Sequence, residues 1–413
     1  MAEPGVTASV LNTMTTAVMG FTTSIPGTAD VMKEGMKKMK EEDTLVDDLN
    51  FVMCGIVAPI FCFVGMAGNV LSIITWNRPK MRSSTGRYLT GQAIADFSVL
   101  MFFVSIDSVT AWNPDVKFSP VYGFCFCYIL YPGLFFAVVC SVWFTVGVTI
   151  DRYILVCWIT KAKQYCNEKR ANFGLILITF NAFIINFPHY LSYTTVDPTS
   201  SSSSGNSSIF NTGSVSFNNG TAPGDDGMKK KTPLTTRVEA YRETEFYTSD
   251  SGQFYEFWIH CMILILIPWV TVFSMNVMII KRVRESNKKN EGKKTSAAAK
   301  HTKQSENQIT RLLLAVTFTF LVFIGMQCII QCMYMKKPAG FNMFIVNSSF
   351  AVAKCGIVFN SSLNFFLYCL TGRRFRTELL TVLGLYDADE QLSSLMDRPS
   401  SGHTTSSTGS TGI

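Results

Sequence analysis

The sequence predicts an all-α membrane protein. The expected fold is a seven-transmembrane helix bundle with its amino terminus outside and a short amphipathic helix after the seventh span. Three observations carry this prediction. Hydrophobic residues make up 48% of the 413 residues and charged ones only 16%, against about a quarter charged in ordinary soluble chains; mean hydropathy is positive. The apolar residues gather in seven runs, each near the roughly 20 residues a helix needs to cross lipid. The basic residues concentrate in alternate short loops between those runs, as orientation signals do. A net charge of +7 spread in this way makes no phosphate-tracking groove, so no nucleic-acid partner is expected.

Residues 1–50 are rich in Thr, Met and Lys, with no helical stripe long enough to mark a helix, and read as a disordered extracellular tail. The first 25 residues lack the order of a cleavable signal peptide, so the first membrane helix is expected to direct insertion. The spans fall at about 51–76, 86–109, 124–150, 171–191, 255–280, 311–334 and 342–370. Arg78, Lys80, Arg82 and Arg87 follow span one, and Lys161, Lys163, Lys169 and Arg170 follow span three. The basic inner loop 281–310 follows span five, and Arg373, Arg374 and Arg376 follow span seven. All four segments lie on one face, which is therefore cytoplasmic.

The outer loop 192–254 contains a Ser/Gly/Asn stretch, Ser200 to Gly227, that cannot bury enough apolar surface to fold. Its sequons at Asn206 and Asn219 are expected glycosylation sites. Sequons at Asn347 and Asn360 belong to span seven, and Asn360 should be beyond reach of the glycosylation machinery. The bundle is expected over 51–378. From Arg373 to Leu385, Phe375, Leu379, Leu380, Val382 and Leu383 oppose Arg374, Arg376 and Glu378, which suits a short helix on the inner leaflet. The cytoplasmic segment 379–413 holds the end of that helix and a Ser/Thr-rich tail open to phosphorylation. Twelve cysteines scatter mostly through the apolar runs, without a CxxC pair, and the four histidines are far apart. A zinc site is not expected. No internal repeat is visible, which counts against a repeat-built transporter.

Several polar residues stand out against the apolar runs. Asp151-Arg152-Tyr153 closes span three, and such charges are tolerable only at the water boundary or facing the bundle interior. One reading is an interfacial anchor, with Arg152 snorkelling to lipid phosphate and Tyr153 in the aromatic belt. Asp96 is a carboxylate in mid-span and needs a partner or a changed protonation state. Asn69, Ser141, Asn360, Ser361 and Asn364 are the oxygen- or amide-bearing groups that could face it. Ser141 lies eleven residues before Arg152, three helical turns, so both share a face.

Asn69 in Gly68-Asn69-Val70, Asp96 in Ala93-Ile94-Ala95-Asp96, the Asp151-Arg152-Tyr153 triplet, Pro268 in span five and Asn364-Phe365-Phe366-Leu367-Tyr368 in span seven together resemble the signature set of rhodopsin-like (class A) G-protein-coupled receptors. The resemblance covers roughly 51–378. Asn360-Ser361-Ser362, Ile185-Asn186-Phe187-Pro188-His189-Tyr190 and the stretch from Arg237 to Tyr255 resemble, more specifically, invertebrate receptors for short amidated neuropeptides of the FMRFamide type.

The resemblance implies a plasma-membrane receptor that catalyses no covalent chemistry. Its ligand would be a peptide, and its partners a heterotrimeric G protein, arrestin and receptor kinases at the Ser/Thr tail, and membrane lipid. Asp151, Arg152, Tyr153, Glu306, Asn364 and Tyr368 would form the coupling switch. Arg152 is expected to pair with Asp151 and, in the closed state, with Glu306; Glu306 also reads as a solvated helix-start acid facing the dipole. Agonist binding would swing span six outward and free the arginine. Around Asp96, with Asn69, Ser141, Asn360, Ser361 and Asn364, the resemblance implies a sodium ion bound at rest. A hydrogen-bonded cluster holding the helices together is the alternative, and the two are compatible. No other cofactor or metal is expected.

On the outer side, spans two and seven are neighbours in this family, so an Asp107–Lys354 ion pair is expected; separate snorkelling to the surface is the alternative. Glu256, His260, Gln327, Gln331, Tyr334, Tyr128 and Tyr131 would make the rest of a wide ligand-binding cavity that is polar and aromatic. Leu134 stands where amine receptors carry an aspartate, which favours a peptide ligand.

Four features depart from the family pattern. Cys127 is the expected span-three half of a disulfide to the outer loop, yet no cysteine lies between Cys166 and Cys261. Cys127 is then free or paired elsewhere, and the loop should be unusually mobile. Span six lacks the Cys-Trp-x-Pro pivot: Phe320 is followed by Phe323-Ile324-Gly325-Met326. Span seven carries Phe365 in place of proline, and span four has no tryptophan. Two other functions compete. A light receptor of the same fold would use a span-seven lysine, but Lys354 lies one turn too far out and Val358 stands at the family position. A transporter or channel would use Asp96 and Asp107 as a cation path.

Overall fold

Apolar runs of this length must satisfy their backbone internally, and they do so as helices. The computed structural model describes residues 28–196, 238–255, 258, 261–290, 315, 317–326, 329–330, 333 and 343–385. Among them, six helices are long and apolar enough to cross a membrane: Lys37–Trp76, Ser84–Trp112, Pro120–Cys157, Glu168–Leu191, Met262–Glu285 and Phe344–Leu370. The shorter apolar helix Thr317–Met326 stands where span six is predicted. With it the chain is a seven-span bundle and a multi-pass membrane protein.

Span three is the axis: its main helix, Tyr131–Cys157, packs against spans two, four and five. Its Val139, Val142 and Phe144 join Val99 of span two, Val272 of span five and Phe320 of span six in one core. Span four is peripheral, with Phe173, Ile176, Phe180, Phe183 and Ile184 exposed to the lipid side. Polar side chains start two of the inner ends. Ser83 Oγ accepts from Gly86 N at 3.0 Å ahead of span two, and Asn167 Oδ1 accepts from Arg170 N at 2.9 Å ahead of span four, each satisfying an otherwise orphaned donor. Four spans open into π-helical turns in their outer halves, at Phe51–Val57, Val104–Ser108, Phe126–Leu130 and Met262–Leu266.

The tail expected to be disordered over 1–50 is helical over Thr28–Asn50. It runs directly into Phe51–Val57 and packs against span seven, with Val46 buried. Its composition hid it. Met, Lys and Glu favour helix at every position, and Lys37 and Glu41 pair at 3.8 Å, but this mostly exposed extension carries no apolar stripe.

The outer loop is tied at both ends. Strands β1 (Tyr193–Thr195) and β2 (Tyr241–Glu243) pair antiparallel, Tyr193 opposite Glu243 and Thr195 opposite Tyr241. Residues 197–237, with the sequons at Asn206 and Asn219, lie outside the described residues. On the inner side Arg373–Val382 forms the amphipathic helix. Its Phe375 packs on Trp76 and Tyr368, with ring centroids 5.2 and 5.4 Å apart. Glu378 is buried and held by Arg78 Nε at 3.0 Å and Lys80 Nζ at 3.8 Å. This helix is therefore bonded to the first inner loop.

Candidate functional site

The centre of the bundle assembles around Asp96, whose side chain is wholly buried. Ser141 Oγ donates to its Oδ1 at 2.5 Å from span three, and Asn364 Nδ2 donates to its Oδ2 at 2.7 Å from span seven. Ser361 is buried in the same knot. Asn69 Nδ2 donates to the Ser361 carbonyl at 3.1 Å, so span one joins the same knot. Asn360 is buried beside it without a bond to Asp96. Two amide oxygens in this knot, Asn69 Oδ1 and Asn364 Oδ1, are buried without a donor among the described residues. An all-oxygen set with unsatisfied acceptors fits a hard cation such as sodium.

At the inner end Asp151 does not pair with its neighbour Arg152. Its Oδ2 accepts from Thr85 Oγ1 of span two at 2.5 Å. Adjacent residues on a helix point in different directions, and span two offers a hydroxyl where Asp151 points. Cys166 Sγ, in the second inner loop, donates to the Asp151 carbonyl at 3.6 Å. Burial, aided by the Asp151 charge, pushes that thiol up to about 12. Arg152 and Tyr153 are half-buried, and Glu306 lies outside the described residues. Tyr368 is buried edge-on to Trp76, with centroids 5.5 Å apart. A cavity of about 290 Å³ flanks Asp151, lined by Ser84, Tyr88, Trp143, Cys166 and Arg170 among others.

At the outer end Lys354 Nζ meets Asp107 Oδ1 at 2.8 Å, with side-chain exposures of 17% and 8%. The ammonium also lies 5.9 Å from the Phe350 ring centroid. Tyr131, expected in the ligand cavity, is instead buried in an aromatic core. It meets Tyr193 at 4.8 Å and His189 at 5.5 Å, and His189 stacks on Phe135 at 4.3 Å. Packing wins because β1 closes over it. Tyr128 is exposed against Phe124. Glu256, His260, Gln327, Gln331 and Tyr334 lie outside the described residues.

The structure answers three of the four departures. Cys127 is buried and free, and the described ends of the loop are tied down by other contacts. Phe126 beside it stacks on Tyr241 of β2 at 4.2 Å and meets Tyr193 of β1 at 5.2 Å. Ala240 N donates to Lys117 O at 2.9 Å, and Lys117 pairs with Glu239 at 3.8 Å. In span six, a tryptophan arrives from span five: Trp269 Nε1 donates to the Leu321 carbonyl at 3.1 Å. Gly325 makes room for it, since a Cβ there would sit 3.1 Å from Trp269 Nε1. Asn276 Nδ2 also donates to Thr317 Oγ1 at 2.6 Å. In span seven Phe365 packs so closely on Gly68 that a Cβ at 68 would come within 2.8 Å of it. The helix Met343–Thr371 runs on without a proline.

Seven apolar spans, a buried carboxylate knot joining spans one, two, three and seven, and an acid–arginine step at the inner end of span three are the features to compare with known membrane proteins. A model of the 7 transmembrane receptor (rhodopsin family) matches residues 68–209. The FMRFamide receptor of Drosophila melanogaster is 24% identical over 338 residues, covering 81% of this chain and 54% of that receptor. An FMRFamide peptide receptor of Caenorhabditis elegans is 27% identical over 152 residues, 36% of this chain and 34% of that one. The thyrotropin-releasing hormone receptor of Homo sapiens is 33% identical over 124 residues, 29% of each chain. The match thus spans about half the length of the fly receptor and a third of the nematode one. Over residues 68–209 the chain is similar to the rhodopsin-like 7 transmembrane receptors, and over a longer stretch to FMRFamide receptors.

Proposed function

We propose that the chain is a plasma-membrane receptor for a short, C-terminally amidated peptide and that it activates a heterotrimeric G protein. The observation that carries this reading is the Lys354–Asp107 pair, a largely buried charged couple at the outer end of which Lys354 keeps 17% exposure. A peptide can exchange partners with either charge. Glu256, His260, Gln327 and Gln331 would complete its cavity, while Tyr131 supports the cavity floor from within the aromatic core. Binding that favours one packing of spans five, six and seven shifts the population toward it. The span-five bonds from Trp269 and Asn276 to span six are the contacts such a shift must break or re-form.

In this reading Arg152 is released from Glu306 and, with Tyr153, meets the G protein. Tyr368 and Asn364 carry the change along span seven. Asp96, Ser141, Asn69, Ser361 and Asn364 would hold a sodium ion, whose charge would offset the buried carboxylate in the resting packing. Asn206 and Asn219 would carry glycans, and the Ser/Thr tail would recruit receptor kinases and arrestin. The relatives support the ligand class, being named for FMRFamide and thyrotropin-releasing hormone.

The test is G-protein activation in cells expressing the chain, with and without a panel of short amidated peptides. Arg152→Ala and Lys354→Ala run alongside at matched surface expression. A peptide-dependent signal lost in both variants is expected. Silence with every G protein, despite normal surface expression, overturns the reading.

A further inference from the structure

We propose that Cys54 and Cys355 are a redox-active pair that hydrogen peroxide closes into a disulfide, stapling span one to span seven beside Lys354. Cys54 lies in the π-helical turn Phe51–Val57 that opens span one. Cys355 follows Lys354 in span seven. Both belong to one buried cluster, at 3% and 0% exposure. Cys355 Sγ reaches the carbonyl of Met53 at 3.6 Å, which sets its sulfur against the backbone next to Cys54. A disulfide needs α-carbons about 4.4–6.8 Å apart and sulfurs that can turn toward each other. Two thiols in one packed cluster, one of them against the carbonyl that precedes the other, are placed for that.

The burial selects the oxidant. A disulfide-carrying protein cannot reach sulfurs enclosed by packed helices, whereas a small neutral peroxide can. One thiolate of the pair attacks a peroxide oxygen; the O–O bond breaks, hydroxide leaves and takes up a proton as water, and the sulfur becomes a sulfenic acid. The second thiol attacks that sulfur. The S–S bond forms, the S–O bond breaks, and the hydroxyl leaves with the second thiol's proton as water. Two thiols and one hydrogen peroxide thus give one disulfide and two waters.

The staple would have a defined mechanical effect. Lys354 already ties span seven to Asp107 of span two at 2.8 Å. The disulfide would add span one, so that three outer ends move as a unit. This holds whether or not the chain answers to a peptide, because the readout is chemical.

The full chain in membranes is treated with hydrogen peroxide or left untreated, then denatured with light N-ethylmaleimide. It is next reduced, labelled with heavy N-ethylmaleimide, digested and read by mass spectrometry. Peroxide is expected to move Cys54 and Cys355 together, several-fold, from the light to the heavy label, while Cys62 in the same cluster stays light. A cross-linked peptide joining the two should appear in the unreduced sample. In Cys355→Ser that peptide should vanish. The proposal is overturned if both cysteines stay light under peroxide, or if Cys54 is found joined to a different cysteine.

Discussion

Replacing Asp107 by Asn tests the outer ion pair most directly. At 2.8 Å and an effective dielectric constant of about 20, two unit charges attract by about 6 kcal/mol. Burying them costs several kcal/mol per ion, so the pair gains little over a well-packed apolar couple. Removing one partner is different, because it leaves the other charge buried at 17% exposure with its attraction gone, at a cost of about 3–5 kcal/mol. Asp107→Asn should therefore lower the unfolding temperature of the purified protein by about 5–15 °C. Lys354→Met should do the same. The double variant should recover most of the loss, because it strands no charge, with a coupling of about 2 kcal/mol or more. The assay is thermal unfolding of the four proteins in one detergent, with surface expression as a second readout. If the single variants melt within 2 °C of the parent (about 1 kcal/mol), or the double variant shows the sum of the two losses, the pair is not the structural tie described here.

Three further outcomes follow from the geometry. Phe126→Ala removes the ring that stacks on Tyr241 and should cost about 3 kcal/mol; hydrogen exchange at 193–195 and 241–243 should speed up by ten-fold or more, whereas Cys127→Ser should leave it nearly unchanged. Asn276→Ala deletes the 2.6 Å bond to Thr317, worth about 1 kcal/mol, and should raise ligand-free G-protein signalling about five-fold if span six moves as proposed; unchanged basal signalling at equal expression would count against that latch. Cys166, whose thiol is pushed up to about 12, stays protonated through the neutral range, because a raised value keeps the neutral form until pH approaches it. Its alkylation by maleimide at pH 7.5 should be roughly a thousand-fold slower than that of a free thiol and should rise steadily as pH is raised to 10.

What the sequence could show depended on whether a residue's cost was local. Asp96 in an apolar run is anomalous wherever it packs, and its neighbours Ser141, Ser361 and Asn364 were legible as the few polar groups at matching depths. Lys354 and Asp107 were legible for the same reason. Asn360 was indistinguishable from Ser361 without the helix rotation, and it is the Ser361 carbonyl that accepts from Asn69. Tyr131 read as a ligand-facing aromatic because tyrosine suits a cavity rim, but the hairpin that buries it is made by residues some sixty and more positions away. Thr85 was hidden because a threonine near a helix start already has an ordinary role. Thr28–Asn50 gave no signal, since a helix stabilised by continuity with the next one has no need of an apolar face.

The lost signature residues show how this bundle replaces single strong constraints by several weaker ones. A disulfide would fix the outer loop to span three by one covalent bond; here a stacked ring pair, a backbone bond from Ala240 to Lys117 and the Lys117–Glu239 ion pair share that role. Each is reversible at room temperature, so the hairpin is held but can be remodelled by whatever binds beneath it. The span-six tryptophan is likewise replaced from outside, by Trp269 reaching across from span five to the Leu321 carbonyl. A tryptophan on span six reports the ligand by turning with its own helix. A tryptophan on span five reports it only by letting go of its neighbour. In the proposed function, coupling would therefore depend on the relative position of spans five and six. Trp269→Phe, which keeps the ring but removes the Nε1 donor, should uncouple peptide binding from signalling while leaving binding affinity within about three-fold (under 1 kcal/mol). Paired binding and G-protein assays on that variant decide it: equal losses of affinity and signal would place Trp269 in the ligand cavity instead.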